Sequence, residues 1–281
     1  MLIIHIAEEI NKKILELKSN GLSIGFVPTM GALHEGHKSL IDKAREENDV
    51  VVCSVFVNPT QFNDPEDFAK YPVTTDLDIA LLQNAKVDIA FFPPVSEIYD
   101  ERLTTLNIDL GMLDKVMEGK YRPGHFIGVV TVVKKLLDIV QPHRLYMGQK
   151  DFQQCAVVAY MIDYFKMDVG LVICPTIREK SGLALSSRNM RLDQSWKKRA
   201  AVIYKALKFC QKNIEVKCIE DLKKMAFKMI DKAGLKTEYF EIVEGRTLKA
   251  IDDAKACDYI IACCAAYAGE VRLIDNMVLK K

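Results

Sequence analysis

Ser23-Ile24-Gly25-Phe26-Val27-Pro28-Thr29-Met30-Gly31-Ala32-Leu33-His34-Glu35-Gly36-His37 is a strand that breaks into a turn and then a helix. The apolar run Ile24 to Val27 reads as a buried parallel strand. Pro28, Gly31 and Gly36 punctuate the chain before Lys38-Ser39-Leu40-Ile41 resumes a helical pattern. A ligand would sit at the strand's carboxyl end, where amide hydrogens at a helix N-terminus attract anions. His34 and His37 lie on the first helical turn and share a face, so both imidazoles can point at the same phosphates. Two other readings stay open for the pair: ordinary surface histidines, or half of a metal site, for which no Cys-x-x-Cys or acidic third arm lies nearby.

Working outward, apolar runs at Val50–Val57, Val87–Phe92, Leu145–Met147 and Val169–Cys174 alternate with helical stretches at Ala7–Leu17, Lys38–Glu47, Thr75–Asn84, Ile127–Val140 and Phe152–Phe165. This alternation predicts an α/β fold, a Rossmann-like parallel sheet with helices on both faces, with ligands collected at the strands' carboxyl ends. The Gly-x-Gly-x-x-Gly and Gly-x-x-x-x-Gly-Lys-Ser/Thr fingerprints are both missing, which argues against a dinucleotide site and a P-loop. After Pro175 come two basic amphipathic helices, about Ser195–Asn213 and Ile219–Ala233, then strand-like runs at Glu238–Val243, Tyr259–Ala265 and Val271–Leu279. Helices followed by consecutive strands predict a smaller α+β domain with an antiparallel sheet. The expected domains are 1–175 and 176–281.

Composition sets bounds on function. A net charge of +1 argues against a large basic field for duplex nucleic acid. Residues 1–175 hold 17 Lys and Arg against 24 Asp and Glu, while residues 176–281 hold 22 against 14. Net values of −7 and +8 fit either solvated helix faces or a basic lid over a polyphosphate. No run approaches the roughly 18 to 20 apolar residues of a membrane span. The opening Met1-Leu2-Ile3-Ile4-His5 lacks a basic n-region with a long apolar h-region, so a cytoplasmic location is expected. Eight scattered cysteines without Cys-x-x-Cys spacing read as reduced core residues, and adjacent Cys263 and Cys264 should face opposite sides of a strand.

Four more stretches place polar groups at predicted strand or helix ends. Ser54-Val55-Phe56-Val57-Asn58-Pro59-Thr60-Gln61-Phe62-Asn63 ends a strand with carboxamides, which suit a hydroxy acid, although Asn58 by itself reads as shaping the turn before Pro59. In Tyr146-Met147-Gly148-Gln149-Lys150-Asp151-Phe152-Gln153-Gln154, Gly148 allows close approach of a ligand and Lys150 can meet a phosphate. Asp151 is placed like a helix cap, with Gln154 one turn on. Ile177 to Asn189 contains Leu185-Ser186-Ser187-Arg188, hydroxyls and a guanidinium able to wrap a triphosphate; a Ser-rich linker is the other reading. Arg122-Pro123-Gly124-His125-Phe126 reads as a turn before a helix, with His125 structural.

Taken in order, PTMGALHEGH, FVNPTQF, RPGHFIGVVTVVKKLL, GQKDFQQ, LALSSRN and RLIDN closely resemble the pantothenate synthetase (pantoate–β-alanine ligase) family, over nearly the whole chain. HEGH resembles the HIGH-type signature of the nucleotidylyltransferase superfamily, and SSRN takes the place of its KMSKS-type loop. The resemblance implies ATP-dependent joining of pantoate to β-alanine, releasing AMP and pyrophosphate through a pantoyl adenylate, in a cytoplasmic homodimer with no nucleic-acid or membrane partner. It implies that Met30, Gly31, Ala32, Leu33, His34, Glu35, Gly36 and His37 line the ATP site, completed by Gly148, Gln149, Lys150, Asp151, Ile177, Leu185, Ser186, Ser187 and Arg188. His37, His34 and Lys150 would be catalytic, with His37 the acid. Gln61 and Gln154 would hold pantoate, and Gln61 would also meet β-alanine. Mg²⁺ would bridge phosphate oxygens, with no protein metal ligand assigned.

The chain departs from the family's usual pattern at Gln149, Phe152, Val73 and Lys180-Ser181, and none of these departures removes an assigned residue. Two other function classes fit less well: a nucleotidyl transferase, which would want more basic residues than Gln61 and Gln154 at its acceptor, and a non-catalytic metal or redox module, which would want ligand spacing.

Overall fold

Strand alternation closes into a six-stranded sheet in the computed structural model, which describes the chain except Asn63, Asp64, Lys70 and Asp100 and the side chains of Pro65 and Asp67. Asn63, the last residue of the carboxamide stretch, therefore lies outside the described residues. The strands are β1 (Leu2–Ile4), β2 (Ile24–Thr29), β3 (Val50–Val55), β4 (Ile89–Phe91), β5 (Arg144–Gly148) and β6 (Gly170–Cys174). They run parallel in the order β1-β4-β3-β2-β5-β6. Between these strands in the chain come α1 (Ala7–Ser19), α2 (Glu35–Glu47), α3 (Pro65–Ala69), α4 (Thr75–Asn84), α5 (Val95–Ile98), α6 (Met117–Tyr121), α7 (His125–Val140) and α8 (Phe152–Tyr164). Strand order reverses between β2 and β5, and in an open parallel sheet that switch point is where the carboxyl ends frame a crevice.

Because both faces of a parallel sheet are covered, its strands read as near-continuous apolar runs. Val27, Val51, Cys53 and Ala90 share a core with Leu40, Ile41 and Ala44 of α2 and Leu82 of α4, while α7 packs on α1 and β2. Gly25 is required by close packing: a Cβ there would stand 2.6 Å from Asn48 Nδ2. Sequence periodicity missed β1, since three residues, two of them exposed, show no alternation.

The chain separates into two compact units: residues 1–110, 122–148 and 154–175, and residues 111–121, 149–153 and 176–281. The second contains α9 (Gln194–Ala200), α10 (Val202–Asn213), α11 (Ile219–Lys232) and an antiparallel sheet of β7 (Lys236–Glu244), β8 (Ile260–Ala268) and β9 (Val271–Lys280), in order β7-β8-β9. The single helix expected over Ser195–Asn213 is two helices, broken at Ala201 without a glycine or proline to mark it.

Cys263 and Cys264 do face opposite sides of β8. Cys264 joins Leu207, Leu222 and Ile230 of the helices; Cys263 joins Met117, Phe152 and Tyr239. The sheet is thus buried on both faces, and this is why 111–121 and Phe152, which precede Pro175 in the chain, belong to the second unit. Arg272 completes that packing. Its guanidinium pairs with Glu118 (2.7 and 2.9 Å) and Glu238 (2.6 and 3.0 Å), and Glu118 also accepts from the Tyr239 hydroxyl at 2.7 Å.

Candidate active site

In the first unit β2 ends in a loop with two successive residues of positive φ, Gly31 (81°) and Ala32 (49°). That conformation costs a non-glycine residue energy and needs an external hold. Asp78, buried in α4, supplies it: its carboxylate accepts from the amides of Ala32 (3.0 Å) and Leu33 (2.8 Å) and from the Thr74 hydroxyl (3.1 Å). Sequence reading missed Asp78. Nothing local separates it from Asp76, another acidic residue in the first turn of a helix.

The loop delivers His34 to the N-cap of α2 and His37 to its third position, with the ring centroids 4.2 Å apart. His34 Nδ1 accepts from the Gly36 amide at 3.1 Å, and His37 Nδ1 accepts from the His34 amide at 3.2 Å. This is a capping box built from two imidazoles in place of hydroxyl and carboxylate. A backbone N–H can only donate, so both Nδ1 atoms are lone pairs and the ring protons sit on Nε2.

Several amides at the start of α2 have partners within the turn. The Gly36 amide is taken by His34, and the His37 and Lys38 amides bond the His34 carbonyl. The donor that each imidazole keeps is therefore its Nε2–H group.

Gln61, buried in a short turn at Pro59–Gln61, lies beside this loop with its Nε2 against the Met30 sulfur. Asn58 both shapes that turn, as expected, and holds Gln61. Its Oδ1 accepts from the Thr60 amide (3.3 Å) and the Tyr99 hydroxyl (2.8 Å), while its Nδ2 donates to Gln61 Oε1 and the Gly128 carbonyl (both 3.1 Å). Burial pushes the Tyr99 phenol up, so it remains a donor.

Gly128 lets α7 touch this turn: a Cβ there would be 2.3 Å from the Thr60 carbonyl oxygen. His125 is structural, as its sequence context suggests, but its partner was not foreseeable. Arg122 meets its Nε2 at 3.0 Å, and since guanidinium only donates, Nδ1 carries the proton and donates to the Gln61 carbonyl at 2.7 Å. Gly148, at the end of β5, has open space where a Cβ would project, and Gln154 is half-buried near the start of α8.

In the second unit the Gln149–Asp151 turn and the Ser187–Arg191 turn both pack on β9. Lys150 is half-buried, its ammonium 3.1 Å from Asp151. Asn276 Nδ2 donates to the Gln149 and Lys150 carbonyls (2.9 and 2.8 Å). Ile177 and Leu185 are joined through a main-chain bond of 2.9 Å across a hairpin, and Arg178 clamps it. Its guanidinium bonds Asp275 twice (2.6 and 2.9 Å) and the Gly182 carbonyl (3.1 Å), and lies over the Tyr204 ring. Gly182, at φ 94° against that ring, admits no side chain. Ser186 then caps the following turn, accepting from the Arg188 amide at 3.3 Å, with Ser187 and Arg188 half-buried. Neighbouring Gln153 is structural: its amide bonds the Leu113 and Val116 carbonyls and the Glu118 amide.

The family profile described as pantoate-beta-alanine ligase matches residues 2–278. The chain is 46% identical over 279 residues to a pantothenate synthetase of Cytophaga hutchinsonii, covering 98% of this chain and 95% of that one. It is 44% identical over 282 residues to that of Bacteroides fragilis, covering all of both. A crystal structure of pantothenate synthetase from Thermus thermophilus superimposes with a TM-score of 0.92 at 38% identity, covering all of both chains. One of pantoate-beta-alanine ligase from Francisella tularensis, complexed with beta-gamma ATP and beta-alanine, gives 0.82 at 38% identity over 99% of this chain and 98% of that one.

Proposed function

The chain belongs to the pantoate–β-alanine ligase family, ATP-dependent enzymes that condense pantoate with β-alanine to pantothenate, AMP and pyrophosphate, and we propose that it works in two steps through an enzyme-bound pantoyl adenylate. In the first step a pantoate carboxylate oxygen attacks the α-phosphorus of ATP; a P–O bond forms and the bond to pyrophosphate breaks. In the second, the amine of β-alanine attacks the acyl carbon, a C–N bond forms, AMP leaves and the amine loses a proton. The adenylate is needed because a carboxylate would otherwise have to expel oxide.

His34 and His37 donate from Nε2 to phosphate oxygens as charge builds, with His37 the acid, while the backbone of Met30 to His37 lines the nucleotide. The observation that carries this reading is the reciprocal imidazole cap at the end of β2, beside the switch point. Lys150, Ser186, Ser187 and Arg188 bring phosphate-binding chemistry, and Gly148, Gln149, Asp151, Ile177 and Leu185 complete the nucleotide contacts. Gln61 and Gln154 hold pantoate, and Gln61 also meets β-alanine.

Among the described residues no group of three or more His, Cys, Asp or Glu gathers as a metal cage. A Mg²⁺ ion would be carried by the polyphosphate, where it would supply charge neutralisation. A cytoplasmic homodimer completes the proposal.

The test is isotope exchange between pyrophosphate and ATP with and without pantoate, together with analysis of products on adding β-alanine. Pantoate-dependent exchange and AMP stoichiometric with amide are expected. ADP and phosphate would reject the adenylate.

A further inference from the structure

The run Arg272-Leu273-Ile274-Asp275-Asn276 in β9 is part of what marks the family, yet none of its residues has a part in the chemistry above. Each polar side chain in it reaches a different segment of the second unit. Arg272 fastens Glu118 of the 111–121 segment, Asp275 fastens Arg178 of the hairpin, and Asn276 fastens the Gln149–Asp151 turn. The third attachment bears on a reacting group. Asn276 is 3% exposed, and its one carboxamide nitrogen serves both the Gln149 and Lys150 carbonyls. Its Oδ1 is met in return by Gln149 Nε2 at 3.3 Å. A three-residue turn has little hydrogen bonding of its own, so the direction in which Lys150 leaves the backbone depends on that grip.

We propose that Asn276 is a positioning residue for Lys150, fixing the turn from which the ammonium reaches the nucleotide phosphates, with Gln149 completing the clasp. The proposal rests on the phosphate role of Lys150. Gln149 stands where the family usually has an acidic residue, and its amide, unlike a carboxylate, can donate to Asn276 Oδ1.

The test is a double-mutant cycle in the full-length enzyme with Asn276→Ala, Lys150→Ala and the combination, read on pantoate-dependent pyrophosphate exchange and on ATP affinity. Asn276→Ala should slow exchange by about tenfold or more, the scale on which small misplacements act, while leaving the KM for pantoate unchanged. In the Lys150→Ala background it should cost less than about twofold, because the group it positions is gone. Asn276→Ser, which keeps one donor, should fall between wild type and alanine and serves if the alanine variant folds poorly. Equal losses in both backgrounds would overturn the proposal while leaving Lys150 in place. An unchanged Lys150→Ala would remove Lys150 from the phosphates and the proposal with it.

Discussion

His37 Nδ1 accepts the main-chain amide of His34 at 3.2 Å, so the second histidine of the pair holds the first in place through its backbone. In return His34 Nδ1 accepts the Gly36 amide at 3.1 Å, and each ring is left with its proton on Nε2. Under the proposed mechanism His37 carries two separable effects, structural at Nδ1 and chemical at Nε2.

Replacing His37 should separate them. His37→Ala is expected to lower pantoate-dependent exchange by about a hundredfold or more and to cost about 1 kcal/mol of stability for the lost cap. His37→Gln can cap from the same position and should recover the stability but not the rate. Wild-type exchange in the glutamine variant would show that no imidazole is needed there.

Asp78 holds two amides at once, and an asparagine has only one acceptor oxygen to offer them. Asp78→Asn should leave one buried N–H unmet, costing about 1 to 3 kcal/mol, and should slow exchange, because the loop carrying Met30 to His34 loosens. A melting temperature and an exchange rate equal to wild type would rule out the clamp.

His125 acts on Gln61 through Nδ1 alone. An asparagine amide sits near the position of Nδ1, a glutamine amide near that of Nε2. His125→Gln and His125→Ala should therefore raise the KM for pantoate by about tenfold, the worth of one well-made hydrogen bond, whereas His125→Asn should stay close to wild type. The KM for ATP should be unchanged in all three. Equal behaviour of the asparagine and glutamine variants would contradict the assigned tautomer.

Burial works against the Arg272 charge, but hydrogen bonds and charge from Glu118 and Glu238 prevail and hold its pKa above the ordinary value. Arg272→Met would leave the buried Glu118 and the half-buried Glu238 carboxylates beside each other without their cation, which raises their pKa values in the folded state. Folded groups with raised pKa destabilise as pH climbs through the unfolded value and lose that penalty when protonated. The variant should be destabilised by about 3 kcal/mol or more near pH 8 and by distinctly less near pH 5, measured by denaturant unfolding. A pH-independent loss would mean the carboxylates do not titrate as a pair.

Much of the architecture is legible without coordinates. The apolar runs from Ile24, Val50, Leu145 and Val169 all become strands of one parallel sheet, and the helix over Thr75–Asn84 is found to the residue. The antiparallel C-terminal sheet follows from the order of its elements. Within each unit the motif residues lie at strand ends, helix starts and turns. Less legible were the three residues of β1 and the break at Ala201, because neither carries a turn residue or a repeat long enough to read.

Periodicity, turn residues and motif order are local properties, and they are what the chain alone determined: the fold class, the family, and the place of the His34 and His37 pair at the strand-to-helix turn. Tertiary structure decided which nitrogen of each imidazole carries the proton, that Asp78 grips a loop 45 residues away, and that Asn276 reaches back 126 residues to Lys150. Those outcomes depend on pairings between distant segments, brought within hydrogen-bond range only when buried apolar faces pack, and no spacing along the chain records them.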